Sequence, residues 1–305
     1  MKYLITGAAG FIGSAVAKKL INEGNDCVTI DNLSTGNKEN VPNGCRFIEG
    51  NTYDETILEE LKKEKFDAII HIAGQSSGEV SFDDPIYDLQ TNTASTIMLL
   101  KFARETGCKK FIYASSMSVY GDHNPPLVDE ATDTVPKSFY AVGKLASEHY
   151  MRIYSDYGIA CTALRFFNVY GIGQNMENLR QGMASIFLAQ AIKDRHIVVK
   201  GSKDRFRDFV YIDDVVESVL ASLTIECGFH IYNVCAQKPQ TVERVISTIQ
   251  DNLNYSVSVE YIGGTPGDQF GIYGRYEKIN SELGWEPKVS FEDGMRAMVN
   301  WALNK

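Results

Sequence analysis

The feature that most constrains the fold is an alternation of two kinds of segment along the first three quarters of the chain. From residue 2 to about residue 235, short apolar runs rich in β-branched residues alternate with longer segments of helical periodicity. Parallel strands need long crossover connections, which are usually helices, so this alternation predicts a parallel sheet covered by helices on both faces. The predicted strands are KYLIT, CVTID, RFIEG, AIIHIAG, KFIYASS and CTALRF, and the predicted helices cover residues 11–22, 54–64, 84–106 and 140–157. We therefore expect an α/β, doubly wound parallel sheet.

After Phe166 the alternation becomes less regular. A helix is predicted near residues 178–194, followed by the strand IVVKG and the segment RDFVYIDD, and FHIYNVC is expected to return to the main sheet. Beyond Pro239 a helix, the strand VSVEYI and two short helices follow. These pieces predict a smaller α/β lobe interleaved with the first. The predicted division is residues 1–168 with 208–236, and residues 169–207 with 237–305.

Charge and apolar run length exclude two classes of partner. The 305 residues include 30 Lys and Arg against 39 Asp and Glu, a formal charge of −9, which disfavours binding to nucleic acid. The apolar runs are much shorter than the roughly 20 residues of a membrane span. The first residues, MKYLITG, enter a predicted strand directly and lack the pattern of a signal peptide. We therefore expect a cytoplasmic protein without a membrane partner.

The cysteines and histidines do not form a recognisable metal motif. The six cysteines include no CxxC pair, and the five histidines form neither HxxxH nor HExxH. Most of the cysteines lie in apolar, strand-like runs, where small buried thiols are common. We therefore expect no metal site.

The first predicted strand ends in TGAAGFIG, a turn typical of dinucleotide-binding sheets. Gly7, Gly10 and Gly13 separate this strand from a helix that starts with Phe11 and Ile12. Such a turn needs glycine because the backbone approaches the pyrophosphate closely, and the helix N-terminus then offers its N–H groups to the phosphates. An ordinary tight turn is the alternative. Together with the predicted sheet, the turn indicates the Rossmann arrangement.

An acidic residue favours NAD over NADP as the dinucleotide. Asp31 ends the second predicted strand, eighteen residues after the last of the three glycines. Its carboxylate is placed to accept hydrogen bonds from the adenosine ribose and would repel a 2′-phosphate. Asn32 follows directly, and Asn51 and Thr52 follow the third strand, where they could contact adenine. Turn formation is the alternative for Asp31 and Asn51.

A serine, a tyrosine and a lysine supply candidate proton-transfer chemistry. Ser116 lies at the end of the fifth strand, Tyr140 follows 24 residues later, and Lys144 comes four positions after that. That spacing puts Tyr140 and Lys144 on one helix face, roughly 6 Å apart along the axis. An ammonium, together with a positive nicotinamide ring, favours the phenolate, and lowering a phenol pKa from about 10 to about 7 takes roughly 4 kcal/mol. The alternative is a solvated helix face.

Five motifs in order, TGAAGFIG, SSMSVYG, YAVGK, LRFFNVYG and RDFVYIDD, resemble the extended short-chain dehydrogenase/reductases. The resemblance is specifically to the NAD-dependent nucleotide-sugar epimerase and dehydratase family, including the UDP-glucose 4-epimerases, and it covers nearly the whole chain. It implies that Tyr140 is the general acid and base, and that Lys144 is its pKa partner and a ligand of the nicotinamide ribose. It also implies that Ser116 orients the sugar oxygen, and that Ala73 and Gly74 contact the cofactor.

The resemblance also implies a nucleotide-sugar site in the second lobe. Asn168 matches a residue that contacts the sugar diphosphate, and Arg207 matches an arginine on the pyrophosphate. Their alternatives are a strand-end turn for Asn168 and a surface ion pair with Asp208 or Asp213 for Arg207.

One position departs from the family pattern. Thr265 occupies the place, just before Gly267 and Asp268, where UDP-hexose epimerases typically carry a second pyrophosphate arginine. Arg180 or Arg205 could supply the missing charge, and Asp268 remains a candidate ligand. The nucleotide is therefore left open between UDP and GDP.

Two segments are expected to surround the sugar. The resemblance places a loop containing Ser76 and Ser77 over it, although capping of the following helix is an equal alternative. The connection 121–139 is long and turn-rich, which suggests a functional cover. Family members that dehydrate the sugar usually carry an acidic residue near the position of Met117, so 4,6-dehydration is disfavoured.

The expected activity is that of an NAD-dependent nucleotide-sugar 4-epimerase, which oxidises the hexose at C4 transiently. The alternative is a nucleotide-sugar 4-dehydrogenase or 4-ketoreductase with net oxidation or reduction. The helices 84–106 and 140–157 resemble the pair that forms the dimer interface of the family, and IMLLKFA at 97–103 is apolar almost all round. We therefore expect a homodimer.

Overall fold

The computed structural model describes residues 1–180, 182–264 and 270–304, and residue contacts divide the chain into two units. The first unit comprises Met1–Val119, Pro136–Arg165 and Val216–Tyr232, and the second comprises Tyr120–Val135, Phe166–Val215 and Asn233–Lys305. Both units are discontinuous in sequence. Residues 120–135, 166–168, 208–215 and 233–236, which the predicted division gave to the first domain, are grouped with the second unit.

The strands are short, and most follow the predicted apolar runs. They are β1 (Lys2–Thr6), β2 (Asp26–Asp31), β3 (Arg46–Glu49), β4 (Ala68–His71), β5 (Lys110–Ser116), β6 (Leu127–Val128), β7 (Ala160–Phe166), β8 (Asn168–Tyr170), β9 (His196–Lys200), β10 (Phe206–Tyr211), β11 (Phe229–Val234), β12 (Pro239–Thr241), β13 (Ser258–Ile262) and β14 (Tyr273–Gly274).

The helices alternate with these strands. They are α1 (Phe11–Asn22), α2 (Glu55–Leu61), α3 (Gly78–Asp83), α4 (Pro85–Leu89), α5 (Ser95–Thr106), α6 (Phe139–Ser155), α7 (Met183–Lys193), α8 (Ile212–Ser222), α9 (Val242–Asp251), α10 (Glu277–Leu283) and α11 (Phe291–Leu303). The predicted helix at 178–194 begins five residues later than expected, because Gly182 has a φ of 85° and precedes its first turn.

A seven-stranded parallel sheet forms the centre of the fold, in the order β11-β7-β5-β4-β1-β2-β3. The order reverses direction at β1, where the chain crosses from the β2 side to the β4 side. Ligands of open α/β sheets bind at such a switch point, outside the carboxyl ends of the strands. The α/β doubly wound fold is therefore confirmed, and so is the return of FHIYNVC to the main sheet, where it forms β11.

Apolar residues on the strands and helices of the first unit form one continuous core. Val28, Ile69 and Phe111 of the sheet are almost completely buried against Leu61 of α2 and Phe102 of α5. At about 25 cal/mol per Å² of apolar surface, each buried side chain of this size contributes roughly 2 kcal/mol. This packing fixes the strand ends that carry the candidate site residues.

The segment predicted as one helix at 84–106 contains a wider turn. α4 and α5 are joined without a break by a π-helical stretch, Gln90–Ala94, which sequence periodicity did not indicate. The apolar run 97–103 also differs from the prediction, because Leu99, Leu100 and Phe102 are buried in the core. It therefore has little apolar surface to spare for a partner subunit.

The second unit contains smaller sheets. β10 pairs in parallel with β8 and antiparallel with β12, β9 pairs in parallel with β13, and β14 pairs with β6. The predicted cover 121–139 is therefore not a free loop, since β6 lies within it and its residues up to Val135 belong to this unit.

Asp208 connects three segments of the second unit. Its carboxylate is fully buried and accepts hydrogen bonds from the backbone N–H groups of Ala236 (2.9 Å), Gln237 (3.0 Å) and Gly274 (3.1 Å). A carboxylate can accept several donors at once, so one side chain satisfies three backbone N–H groups.

The part of the chain that the structure describes holds no helix long and apolar enough to span a membrane. Within the same residues, no three His, Cys, Asp or Glu side chains lie close enough together to hold a metal ion.

Replacement of Asp208 by Ala should destabilise the protein by about 3 kcal/mol, because three backbone N–H groups, that of Gly274 fully buried, lose their acceptor. Asp208→Asn, which keeps one acceptor oxygen, should lose less. Denaturant unfolding gives the free energies, with the exposed Asp251→Ala at the end of α9 as the control, expected within about 0.5 kcal/mol of wild type. An unchanged unfolding midpoint for Asp208→Ala would contradict this role.

Candidate active site

The turn after β1 is closed too tightly to admit side chains. A Cβ atom added to Gly13 would lie 2.1 Å from the carbonyl oxygen of Gly7, and one added to Gly7 would lie 2.7 Å from the backbone nitrogen of Ala73. Gly7 also has a φ of 77°, in the left-handed region. β1, α1 and the chain after β4 therefore approach one another through bare backbone.

The N-terminus of α1 has no side-chain cap. Gly10 occupies the N-cap position, and no side chain accepts a hydrogen bond from the first turn, which begins with Phe11 and Ile12. Helix N-termini carry unpaired N–H groups and partial positive charge, so a dinucleotide pyrophosphate is a suitable acceptor for them. The turn therefore fits the predicted ligand.

Asp31 is held by the backbone and retains capacity for a ligand. Its carboxylate accepts hydrogen bonds from the N–H groups of Ala9 and Leu33, both at 2.9 Å. The side chain is 8% exposed. A carboxylate has about four acceptor positions, so two remain for ribose hydroxyls. The same bonds fix the end of β2 against the phosphate-binding turn.

Two of the other residues predicted to contact adenosine are hydrogen-bonded to each other, and the third is buried. Asn32 donates through Nδ2 to Oδ1 of Asn51 at 2.8 Å, which joins the ends of β2 and β3. Thr52 is buried. The turn-forming alternative for Asn51 is consistent with this pairing.

A buried chain of hydrogen bonds through His71 supports the backbone of Ala73. Thr6 Oγ1 accepts the Ala73 N–H at 3.1 Å and lies 2.7 Å from Nδ1 of His71, whose Nε2 lies 3.2 Å from Ser95 Oγ. Ser95 donates to the carbonyl of Thr91 at 2.6 Å, so it must accept from His71, which is therefore neutral with its proton on Nε2. Burial lowers the pKa of His71 to about 3, and the positive charge of Lys144 acts in the same direction.

Ser116, Tyr140 and Lys144 converge at the carboxyl end of β5. Tyr140 is hydrogen-bonded to Ser116, and the Lys144 ammonium lies 5.6 Å from the Tyr140 ring centroid. Lys144 donates to the carbonyl of Ala114 at 2.8 Å, and its side chain is buried. The predicted grouping of the three side chains is thus present within one unit. The alternative for Lys144 was a position on a solvated helix face, and it is excluded because the side chain is buried.

The electrostatics differ from the expectation for Tyr140. Burial raises its pKa to about 12, the Ser116 hydrogen bond lowers it, and the negative charge of Asp88 raises it further. Burial also lowers the pKa of Lys144 to about 8, against the opposing effects of Asp88 and Glu148. The lysine alone therefore does not produce a phenolate near pH 7. A base at Tyr140 needs additional positive charge, such as that of an oxidised nicotinamide ring.

Ser115 and Ser116 have different environments. Ser115 donates to Oε1 of Glu148 at 2.5 Å, and Glu148 forms a buried ion pair with Arg165 at 2.7 Å. Ser115 is therefore committed to this structural network. Ser116 faces the tyrosine, which agrees with its selection from the sequence.

Ser76 and Ser77 lie where a short helix replaces the predicted loop. Ser77 is buried and caps α3 by accepting the N–H of Val80 at 3.3 Å, as the capping alternative required. Ser76 and Gly74 are exposed beside it. Of the two serines, Ser76 is the one accessible to a ligand.

The predicted diphosphate residues lie in the second unit. Asn168 donates to the carbonyl of Asp208 at 3.2 Å, and Arg207 donates to the carbonyls of Phe206 and Phe270 at 2.8 and 3.2 Å. Arg207 is buried, so the surface ion pair does not apply, and burial together with the charge of Arg205 lowers its pKa to about 10.

Of the remaining positions considered for the substrate, the structure describes only Arg180. Arg180 is exposed, in the segment before α7. Asp268 and Thr265 lie outside the described residues.

A model of a known protein family matches most of this chain. The family is described as the NAD dependent epimerase/dehydratase family, and the match covers residues 3–235. The chain belongs to this family. It is therefore an NAD-dependent enzyme, as the resemblance predicted.

Individual members of the family are similar over the full length. A putative UDP-glucose 4-epimerase of Methanocaldococcus jannaschii is 33% identical over 303 residues, which cover 99% of this chain and 98% of that protein. The UDP-glucose 4-epimerase of Thermotoga maritima, solved with UDP-glucose, has a TM-score of 0.96, 31% identity and coverage of 100% and 99%. The Thermus thermophilus UDP-glucose 4-epimerase, solved in complex with NAD, has a TM-score of 0.91, 32% identity and coverage of 99% and 98%.

Sequence reasoning missed residues that hold the candidate site in this family member. Ser118 donates to Ser116 Oγ through its N–H at 3.2 Å and its hydroxyl at 3.0 Å. Asp88 is buried and accepts from Gln75 at 2.8 Å and Asn92 at 3.1 Å. Asp88 and Asn92 are four residues apart on one helical segment, but this spacing does not show that the two side chains are buried together.

The raised pKa of Tyr140 leads to a spectroscopic prediction. In NAD-free protein, Tyr140 should stay protonated between about pH 6 and pH 10, because burial disfavours the charged phenolate. Ultraviolet tyrosinate titrations of wild type and Tyr140→Phe should therefore coincide over that range. With NAD⁺ bound, wild type alone should show one further phenolate at lower pH. A phenolate assigned to Tyr140 near pH 7 in the NAD-free protein would contradict the prediction.

Proposed function

We propose that this enzyme is a nucleotide-sugar 4-epimerase, which inverts the hydroxyl at C4 of a hexose linked to a nucleoside diphosphate. The observation that carries the proposal is the convergence of Ser116, Tyr140 and Lys144 at the end of β5, in the same unit as the phosphate-binding turn. UDP-glucose 4-epimerases among its relatives support the same activity.

Residues of the first unit are placed to hold NAD. Gly7, Gly10 and Gly13 leave room for the pyrophosphate, Asp31 accepts from the adenosine ribose, and Lys144 donates to the nicotinamide ribose. When bound, NAD supplies the reversible two-electron oxidation at C4 of the hexose.

Tyr140 moves the proton of the 4-hydroxyl. Its phenolate accepts that proton as C4 is oxidised, and the resulting phenol returns it to the same oxygen when C4 is reduced. Both halves of the reaction need a group that exists in two protonation states. The opposing effects of burial and nearby positive charge on the Tyr140 pKa provide such a balance.

Ser116 orients the sugar oxygen. Its oxygen accepts from the N–H and the hydroxyl of Ser118, so its one proton is available either to Tyr140 or to the ligand oxygen. Inversion requires that the 4-keto sugar presents its opposite face to the cofactor while O4 stays within reach of these two hydroxyls.

Asn168 and Arg207 are proposed to hold the diphosphate. Asn168 on β8 is paired with Phe209 on β10. Arg207 lies two residues before Phe209, so the amide and the guanidinium are carried by neighbouring strands. Arg205 adds a second positive charge close to Arg207. A buried guanidinium is suited to a phosphate because its donors match the oxygen geometry. A UDP-hexose is the first substrate to test.

Two other activities are distinguished by residues or by products. A 4,6-dehydratase is disfavoured because Met117, which directly follows β5, has no acidic group. A 4-dehydrogenase or 4-ketoreductase would use the same tyrosine and lysine, but it would release the keto sugar or consume it.

The test follows a deuterium atom at C4 of a UDP-hexose. The epimerase should give the C4 epimer with the deuterium retained at C4, with no solvent hydrogen at that carbon and no net formation of NADH. Mass spectrometry and proton NMR of the products measure this. A keto sugar that leaves the protein with loss of deuterium would instead identify a dehydrogenase.

A pair of variants distinguishes a role of Tyr140 in proton transfer from a role in cofactor binding. Tyr140→Phe should lose about 10²-fold or more of turnover, typical of a general acid/base, while its NAD content stays close to wild type. Tyr261→Phe, at an exposed position on β13, should behave as wild type. Simultaneous loss of NAD and turnover in Tyr140→Phe would indicate a structural tyrosine and contradict the assignment.

We also infer that the chain forms a homodimer through α4 and α6. These helices contact each other, and their outer surface carries the exposed apolar side chains Ile86 (62%), Leu89 (51%), Val142 (52%) and Ile153 (51%). Exposed apolar side chains on paired helices favour association, and paired helices are a common dimer interface. The expected interface thus involves α4 and α6 rather than the run 97–103.

Light scattering should give twice the chain mass of 34.0 kDa for the wild type at micromolar concentration. The double variant Val142→Glu with Ile153→Glu should be monomeric, because two charges on each copy would be buried without partners. Ile262→Glu, which places a charge at an exposed apolar site on β13, is the control and should remain dimeric. A monomeric wild type would exclude the interface.

A further inference from the structure

Cys27 and Cys45 lie side by side at the amino ends of two neighbouring strands. β2 and β3 are parallel, and Val28 pairs with Arg46, so the preceding residues of each strand are the two cysteines. Paired strands are separated by about 4.8 Å, which is within the Cα spacing of about 4.4–6.8 Å that disulfides require. Both cysteines are free thiols in the structure.

The two thiols differ in access. The Cys27 thiol is completely buried, whereas Cys45 is partly exposed. Their proximity lowers the pKa of Cys45, because a neighbouring S–H stabilises its thiolate, and it raises the pKa of Cys27, as does burial. Cys45 is thus the accessible nucleophile and Cys27 the partner behind it.

The segment between the cysteines packs on the phosphate-binding turn. The carbonyl of Ala9 accepts the backbone N–H of Asn37 at 3.0 Å and Nδ2 of Asn40 at 2.9 Å. A Cβ atom on Gly36 would lie 2.6 Å from the Ala9 carbonyl carbon. A bond between residues 27 and 45 would therefore close a ring of chain that includes Asp31 and this docked loop.

We propose that Cys27 and Cys45 are a modification site, at which a low-molecular-weight disulfide converts the two thiols into a reversible cross-strand disulfide. The proposal does not depend on the sugar chemistry, because it concerns the opposite ends of β2 and β3 from the cofactor-binding turn.

The exchange proceeds in two balanced steps. The Cys45 thiolate attacks one sulfur of the small disulfide, forms a mixed disulfide and releases one small thiolate. Cys27 then loses its proton and attacks the Cys45 sulfur, which releases the second small thiolate. Two protein thiols are oxidised, one small disulfide is reduced to two thiols, and no other oxidant is needed.

The other cysteines provide the controls. Cys108, Cys161 and Cys235 are buried, whereas Cys227 is exposed. Cys227 should therefore react with a small disulfide but should stop at the mixed disulfide. It reports general thiol reactivity without a neighbouring partner.

The experiment treats the full-length protein, loaded with NAD, with glutathione disulfide under native conditions. Peptide mapping after alkylation should show Cys27 joined to Cys45, loss of both alkylatable thiols, and full recovery of both after dithiothreitol. Cys227→Ser should give the same linked peptide. Cys45→Ser, which alters the partly exposed thiol, should leave Cys27 entirely alkylatable after unfolding.

Two results would overturn the proposal. One is a glutathione adduct that persists on Cys45 while Cys27 stays reduced. The other is no reaction at Cys45 under conditions that modify Cys227 completely. Circular dichroism of Cys45→Ser establishes that the variant is folded, and intact mass of the wild type reports the loss of two hydrogen atoms independently of any variant.

Discussion

The close backbone contact around Gly7 is the constraint on which the first unit depends. The chain after β4 approaches Gly7, and the start of α1 approaches it from the other side through Gly13, with no side chain between them. This contact places the uncapped end of α1 at the switch point of the sheet. Ala73 is then fixed by Thr6 and His71 behind it. A side chain at Gly7 or Gly13 would displace all of these elements.

The second constraint is the cost of burying charge beside Tyr140. Lys144 is buried, and Asp88 and Glu148 favour its protonated form against desolvation. Burial, with a further contribution from the same Asp88, raises the pKa of Tyr140, so the protein alone stabilises the phenol. A proton acceptor at Tyr140 therefore depends on charge that arrives with the cofactor. This dependence would couple proton removal to the presence of oxidised NAD.

Sequence patterns predicted the sheet well because its information is local. Each β-branched run became a strand, and the Gly-rich turn and the Tyr140 to Lys144 spacing depend on near neighbours in sequence. The features that differ from the sequence-based expectations depend on contacts distant in sequence. The apolar run 97–103 packs into the core through residues such as Phe102, and its periodicity could not tell a core contact from a subunit contact. Ser118 and Asp88 were missed because short-range spacing gives no sign of which polar groups are buried together.

The two serines at the end of β5 illustrate how such burial decides function. Ser115 and Ser116 are adjacent at the end of β5, and both lie next to α6. Ser115 donates to Glu148, whose charge is paired with Arg165, so its hydroxyl proton is committed. Ser116, one residue further on, accepts from Ser118 and lies beside Tyr140. The same residue type thus stabilises the fold at one position and is available to a substrate oxygen at the next, and the difference arises from a one-residue step along the strand.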